Sequence, residues 1–538
     1  MLKTLSQIPA FARYLSGLPR FLRRQMSLAD AEALIRRGFE QREANFLLLM
    51  ERGVYGHPGS PYAWLLRQAR CEFGDLRTLV QQRGLESTLR QLRAEGVSVS
   101  FEEMKGRVPL VRNGQTLAVT AASFRNPHLS SAYQSESGGS TGTSTRVDHD
   151  LEHLAIRSAH LLLTYHAHGS FDLPFAIWRG VLPDGSGLNN ILTGAHHGRM
   201  PVNWFSPTVP GAPPPALRFR LATYGSVITG RLAGTRFPWP EMVPVDQAIR
   251  IARWAREMIE THGGCQINAP VSRALRVAVA ARDAGIDLTG AVFVIAGEPA
   301  TPAKVAGIRA SGASCYTTYG FVEAGRVAMG CAQPVSCNDL HILTDAFAVL
   351  PFPRRVPGID VKVEVDALNI TSLLLTTPQI LLNAEVDDYG VVEERRCGCP
   401  LDRFGYHHHV RDIHSFRKLT GEGVTLVGGE MIDIMERVLP ARFGGSALDY
   451  QLMEEEDERG FTRLSLLVSP RVPLADENAV VETIMNELSA SSVMADAARN
   501  IWAQAGTFRI QRREPVLTRH GKLFPLRLVR KEIGRAHV

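Results

Sequence analysis

The sequence predicts an α/β protein: a large N-terminal α/β domain with a β-rich subdomain, then a small mobile α+β C-terminal domain. Three observations carry this. Amphipathic helical patterns (DQAIRIARWAREMIETHG, VSRALRVAVAARDAG) alternate with short apolar strands (GCQINAP, GAVFVIAGE), as in a layered fold with a largely buried sheet. From about 339 to 382 the pattern becomes successive strands, LHILTD, VKVEVDALNI and SLLLTTPQILL. A composition break at Leu419 to Gly423 (LTGEG), read as a hinge, precedes a second alternation of TRLSLLVSP, ENAVVETIMNELSASS and FRIQRREPV.

The elements divide the chain as follows. Residues 1–110 hold helix-forming runs such as FLLLMERGVYG and LRTLVQQRGLESTLRQLRAEG. Residues 111–420 form the α/β core, its β-rich part at about 331–418, and 421–531 a small lid domain. A chain of 538 residues is too long for one core. The tail 532–538 (EIGRAHV) reads as a translated sequencing adapter, which would leave the native sequence truncated near Lys531.

Composition excludes several classes. Hydrophobic content of 45% and charged content of 21% suit a soluble globular protein. The net charge of +6 is spread along the chain with no basic stripe and interleaved aromatics, which argues against nucleic acid as a partner. No apolar run approaches the roughly 20 residues of a membrane span. The basic N-terminal segment lacks the apolar block of a signal peptide and reads as a surface helix pair. Seven cysteines, an odd and sparse set, fit a reducing cytoplasm.

Five stretches bear chemistry. Ser137 to Arg146 (SGGSTGTSTR) combines glycines with small hydroxyls, so inward N–H groups could cradle a phosphate close to the helix read at about 148–166. The other reading of the stretch is a flexible linker. It is no Walker A loop, because no Gly-Lys-Ser/Thr follows. Val292 to Pro299 (VFVIAGEP) is a strand running into a tight turn, where ligands of α/β sheets gather. Thr318 to Gly325 offers the flat ring of Tyr319, close approach at Gly320, and Glu323 as a hard oxygen ligand for magnesium, or a salt-bridged loop carboxylate. Asp387 and Asp388 are acids suited to ribose hydroxyls, or to a solvated turn. Lys522, after Gly521 on a loop of the last domain, could carry a mobile charge to a phosphate, or simply be solvated.

In this order the stretches resemble the motifs of the adenylate-forming (acyl-CoA synthetase/ligase) superfamily, most closely its phenylacetate–CoA ligase-like and acyl-protein synthetase-like branch. The likeness runs from about residue 40 to 531, and LLLTTPQILLNAEVDDYGVVEERRCGC is its most specific portion. The resemblance implies that Ser137, Gly138, Gly139, Ser140, Thr141, Gly142 and Thr143 hold the ATP phosphates, with Gly139 to Gly142 as the cradle. It places Gly297, Glu298 and Pro299 at adenine, Tyr319 and Gly320 against the base, and Asp388 on ribose. Glu323 would hold Mg²⁺, and Lys522 would be the adenylation lysine. Three departures stand out. Val322 sits where the family usually has Ser or Thr; Thr420-Gly421-Glu422-Gly423 replaces the hinge Gly-Arg-x-Asp, so the hinge arginine is either absent or supplied from elsewhere, as by Arg411 or Arg417; Ser144 and Thr145 replace Pro-Lys.

The implied reaction joins ATP and a small-molecule carboxylic acid as an acyl-adenylate, then passes the acyl group to a thiol, CoA or an acyl carrier protein's phosphopantetheine. The competing class is a non-catalytic nucleotide-binding scaffold of the same fold. Cys331, His341, Cys397 and Cys399 form a candidate structural Zn²⁺ site, with Cys337 as substitute ligand; some relatives in that branch look similar here. His407-His408-His409 reads instead as a solvated polar loop.

Overall fold

The structure, a computed structural model, describes residues 8–129, 132–136, 146–207, 215–298, 300–355, 364–415, 418–421, 424–427, 434–445, 449–459, 461–489, 508–516 and 526–528. Its frame is a sheet of twelve strands. In chain order these are β1 (Phe175–Trp178), β2 (Asn203–Ser206), β3 (Pro240–Met242), β4 (Cys265–Pro270), β5 (Ala291–Ala296), β6 (Ser314–Phe321), β7 (Gly325–Gly330), β8 (Leu340–Ile342), β9 (Phe347–Arg355), β10 (Glu364–Ser372), β11 (Ala384–Glu394) and β12 (His408–Ser415). Their order across the sheet is β9-β10-β11-β12-β8-β7-β6-β5-β4-β1-β2-β3.

The half from β3 to β6 is parallel. Parallel strands are covered on both faces, and accordingly every residue of β1 and β4 is buried. The covering helices include α3 (Leu151–Ala167), α4 (Ser186–His196), α5 (Ile249–His262) and α6 (Val271–Asp283). The half from β6 to β9 is antiparallel. The strand-rich stretch is therefore continuous with the parallel sheet through β7 and β8, rather than a sheet of its own.

Two topological facts position the site. The chain moves outward from β1 through β2 to β3, then returns to place β4 on β1's other side. The order reverses between β1 and β4, and α/β sheets bind ligands outside the carboxyl ends of strands at such a reversal. Second, β6 and β11 are four strands apart in the sheet, about 19 Å if it were flat. Yet the Tyr319 hydroxyl at the end of β6 lies 2.8 Å from the Asp388 carboxylate of β11. The antiparallel half curls back over the carboxyl ends of the parallel strands.

Helices fill the region from Ile8 to Met104. Ser27 and Asp30 close a capping box at the start of Leu28–Glu40. Phe46, Leu49, Leu66, Leu89 and Leu92 share one core with Leu340, Ile370, Leu381 and Leu382 of the antiparallel half. Asn383 fixes this packing by donating its amide to the carbonyls of Leu89 and Val97, at 2.8 and 3.1 Å.

The C-terminal unit is a four-stranded sheet of β13 (Tyr450–Glu456), β14 (Thr462–Val468), β15 (Phe508–Arg512) and β16 (Leu526–Leu528), ordered β15-β14-β13-β16. Tyr450, Leu452 and Phe461 share a core with Leu275 of α6 and with Ile308. The Arg276 guanidinium sits 4.8 Å from the centre of the Phe461 ring. At the composition break, Lys418–Gly421 pairs with Val424–Val427, while residues 422 and 423 lie outside the described residues. Among the described residues no helix is long and apolar enough to cross a membrane.

Ile267, fully buried in β4, tests the parallel half. Ile267→Ala is expected to cost about 2–5 kcal/mol, read as a lower midpoint in denaturant unfolding, because the surrounding layers cannot close the cavity.

Candidate functional site

The site grows from the carboxyl edge of the parallel strands. Pro270, Ala296 and Thr318 stand in register across β4, β5 and β6. Beyond them come Gly297–Glu298 and Tyr319–Gly320, so two of the motifs singled out from the sequence lie side by side at one edge. The Glu298 side chain, only 9% exposed, accepts the hydroxyl of Ser272 from the first turn of α6. A Cβ on Gly320 would lie 2.2 Å from the Gly325 carbonyl oxygen. Only glycine permits the β6–β7 hairpin to close there.

Asp388 is 6% exposed and accepts two hydrogen bonds, from Tyr319 Oη at 2.8 Å and from Ser415 Oγ at 2.5 Å. Burial around the Tyr319 hydroxyl, and then the adjacent Asp388 charge, push that phenol well above its usual range. The hydroxyl thus keeps its proton and serves as donor. Its neighbour Asp387 is fully buried and sits 3.6 Å from the Arg354 guanidinium. Of the two acids, Asp388 is the one joined to Tyr319.

Glu323 closes the β6–β7 hairpin, 4% exposed, and is ion-paired with Lys105. Lys105 carries no motif and follows the short helix Phe101–Met104. Its nearest signal in the sequence is the Ser100/Glu103 capping box, which fixes the helix but says nothing of where the next side chain lands.

Ser137, Gly138, Gly139, Ser140, Thr141, Gly142 and Thr143, together with Pro299 and Lys522, lie outside the described residues. The strands flanking the glycine-rich stretch, Ala132–Glu136 and Arg146–Asp150, pair antiparallel with Glu136 opposite Arg146. This corrects one expectation. The helix begins at Leu151 with Asp150 as its N-cap, so a five-residue strand, about 16 Å long, separates the stretch from the helix N-terminus.

A second cluster forms where β7, β8 and the loop between β11 and β12 meet. The ligand atoms of Cys331, His341, Cys397 and Cys399 all lie within 4.8 Å of one another. His341 Nε2 is 3.2 Å from Cys399 Sγ and 3.7 Å from Cys397 Sγ. A tetrahedral zinc site has sulfur–nitrogen edges of about 3.6 Å, which these distances bracket. Gly398, at φ +74°, turns the chain so that both flanking thiols face inward. His341 Nδ1 lies 2.6 Å from the Tyr406 carbonyl, so it carries the proton, and neutral Nε2 aims a lone pair at the sulfurs. A hydrogen bond from Cys331 pulls the Cys399 thiol far below its ordinary pKa, and burial only partly opposes it. A lone pair and a thiolate facing each other fit a bound cation. Cys337 stands apart, its thiol donating to the Ala300 carbonyl at 3.3 Å.

The histidine triplet is not a solvated loop. His409 is fully buried in β12, 2.8 Å from Asp339 Oδ1, and His407 bonds to the Asp402 carbonyl at 3.1 Å; His408 alone is exposed. Asp339 lies seventy residues before His409 and reaches it only because β8 and β12 pair with His341 opposite His409. Cys331, Asp339 and His409 also come together. Asp339, however, is taken up by Arg395, His409 and the Val335 amide, so the quartet is the better ligand set.

Tyr319→Phe removes the phenolic donor to Asp388. The expected loss is about 1.5–3 kcal/mol of folding stability, as for a hydrogen bond to a charged group, measured by denaturant unfolding.

No protein-family model matches the sequence, and no curated protein matches it. Solved structures do. One is a 2-hydroxyisobutyryl-CoA ligase in complex with 2-HIB-AMP and CoA in the thioesterification state, at 15% identity and a TM-score of 0.51, covering 94% of this chain and 91% of that one. The same ligase in the postadenylation state scores 0.42 at 15% identity, covering 90% and 89%. An anthranilate CoA ligase with anthranoyl-AMP scores 0.33 at 11% identity, covering 86% and 78%. The chain has the fold of the adenylate-forming acyl-CoA ligases.

Proposed function

We propose that the protein activates a small-molecule carboxylic acid with ATP as an acyl-adenylate and then passes the acyl group to a thiol, CoA or carrier-protein phosphopantetheine. The observation that carries the reading is the contact between Tyr319 and Asp388. It puts a flat ring and a buried carboxylate, the partners a nucleoside needs, on the edge that also presents Glu298 and Glu323. Both reactants are anions, so their repulsion must be offset by positive charge and N–H groups. Holding the acid in line with the α-phosphate contributes about 7–11 kcal/mol to lowering the barrier.

Glu323 is the carboxylate suited to Mg²⁺, which when bound would neutralise phosphate charge. Lys105 occupies the same carboxylate, so metal and ammonium compete and the pair opens when the nucleotide complex enters. Lys522, in the C-terminal unit, is proposed to serve adenylation, moved by rotation of that unit. Lys522→Ala is expected to lose carboxylate-dependent pyrophosphate exchange while retaining ATP binding by calorimetry. Full exchange activity in this variant would refute the role.

Cys331, His341, Cys397 and Cys399 are proposed to hold one structural Zn²⁺ that ties β7, β8 and the β11–β12 loop together. Metal analysis of the purified protein is expected to find one zinc per chain. Cys399→Ser is expected to abolish it and lower the Tm. Protein free of zinc, with an unchanged Tm in the variant, would exclude the site.

A further inference from the structure

The carboxyl edge of the sheet also carries charge that the proposed reaction does not use. Arg179 follows β1 directly, and its Nη1 lies 3.9 Å from the point a Cβ on Gly297 would occupy. Arg157 and His153 lie one turn apart on α3, both against Gly325 at the start of β7, and Arg326 is the next residue. His153 Nε2 and Arg157 Cδ are 3.1 and 3.5 Å from the Cβ position of Gly325.

None of these three arginines has an ion pair or side-chain hydrogen bond among the described residues, and the Nε atoms of Arg157 and Arg179 are buried without a partner. His153 is 5% exposed with both ring nitrogens unbonded, and the Tyr316 hydroxyl, on a residue 6% exposed, is equally unbonded. Burial first, then Arg326, brings Arg157 down to about 10; burial, Arg273 and Arg326 bring Arg179 down to about 10. Arg326 thus acts on both. Burial, and next Arg157, keep His153 neutral.

Two nearby acids offset part of this charge. Asp184 and Glu298 act on Arg179 at longer range. Asp184 is engaged by the amides of Gly180 and Ser186 at 3.1 and 2.8 Å, and Glu298 by Ser272. Tyr133 faces Arg157 only as a neutral phenol, its own pKa pushed far up by burial. All three arginines are partly exposed, and like charges held close together repel unless an anion joins them. Nearby, Asn268 donates to the Tyr165 hydroxyl and to Asn190 Oδ1, each at 3.3 Å. An aliphatic or plain aryl chain would offer the arginines and His153 no partner.

We propose that Arg157, Arg179 and Arg326, with His153, bind a second anionic group on the acid substrate, so that the enzyme takes a dianionic acid whose other carboxylate, or a sulfonate, sits among these residues at the carboxyl edge. This rests on the carboxylate-activation reading. An arginine pair on a carboxylate discriminates against the analogue lacking it, because the site's own groups would be left without partners.

Pyrophosphate exchange by the full chain is to be compared over matched acids, hexanoate against adipate and benzoate against terephthalate and 4-sulfobenzoate. At least a tenfold higher kcat/KM for the dianionic member is expected. Arg157→Gln and Arg326→Gln should each reduce that preference ratio at least tenfold, and Arg157→Lys should restore part of it. Thermal unfolding and ATP titration accompany each variant. Exchange with the monoanionic acids as good as or better than with their dianionic partners overturns this inference and leaves activation standing. Variants that lose ATP affinity and lose exchange with every acid alike assign the arginines to the triphosphate, which also overturns it. Exchange with no acid of either kind overturns the activation reading itself, and this inference with it.

Discussion

The curl of the twelve-stranded sheet is the constraint on which the candidate site depends. Parallel strands present their carboxyl ends as an open edge, and a flat sheet would leave β11 about 19 Å from β6. Because the antiparallel half turns back over that edge, Asp388 receives the Tyr319 hydroxyl at 2.8 Å. The backbone permits the turn where Gly320 lets the β6–β7 hairpin close against the Gly325 carbonyl. The N-terminal helices then hold the curled half in place, through a shared apolar core and the amide of Asn383.

Charge is the second theme. The edge carries its own cations against its own acids, with Lys105 on Glu323 and Arg354 beside Asp387. These pairs offset charge within the chain. Arg157, Arg179 and Arg326 differ, having no ion pair or side-chain hydrogen bond among the described residues.

The thiol–imidazole cluster lies on the antiparallel half, away from the switch point. Its members come from the end of β7, from β8, and from the loop joining β11 to β12, which are neighbours in the sheet but distant in sequence. The buried His409–Asp339–Arg395 group stands beside it and packs against His341, with ring centres 4.1 Å apart. This group orients the cluster from outside rather than adding a ligand to it.

Much of this was legible in the chain before any folding was considered. Period and composition were enough for the alternation of helices and strands and for the strand-rich stretch, because helix spacing and apolar runs are local signals. The Gly-Glu turn was placed correctly at a strand end for the same reason. The short strand between the glycine-rich stretch and α3 was missed, since Arg146–Asp150 is polar and pairs only through its partner Ala132–Glu136. His409 was misread because its acid, Asp339, arrives by strand pairing and not by spacing. Lys105 and the trio Arg157, Arg179 and Arg326 carry no motif at all. Whether a charge is solvated, paired or buried with its own kind depends on which distant segments fold against it, so the sequence by itself settled the elements and their turns, while only the tertiary structure decided the charge balance of the site.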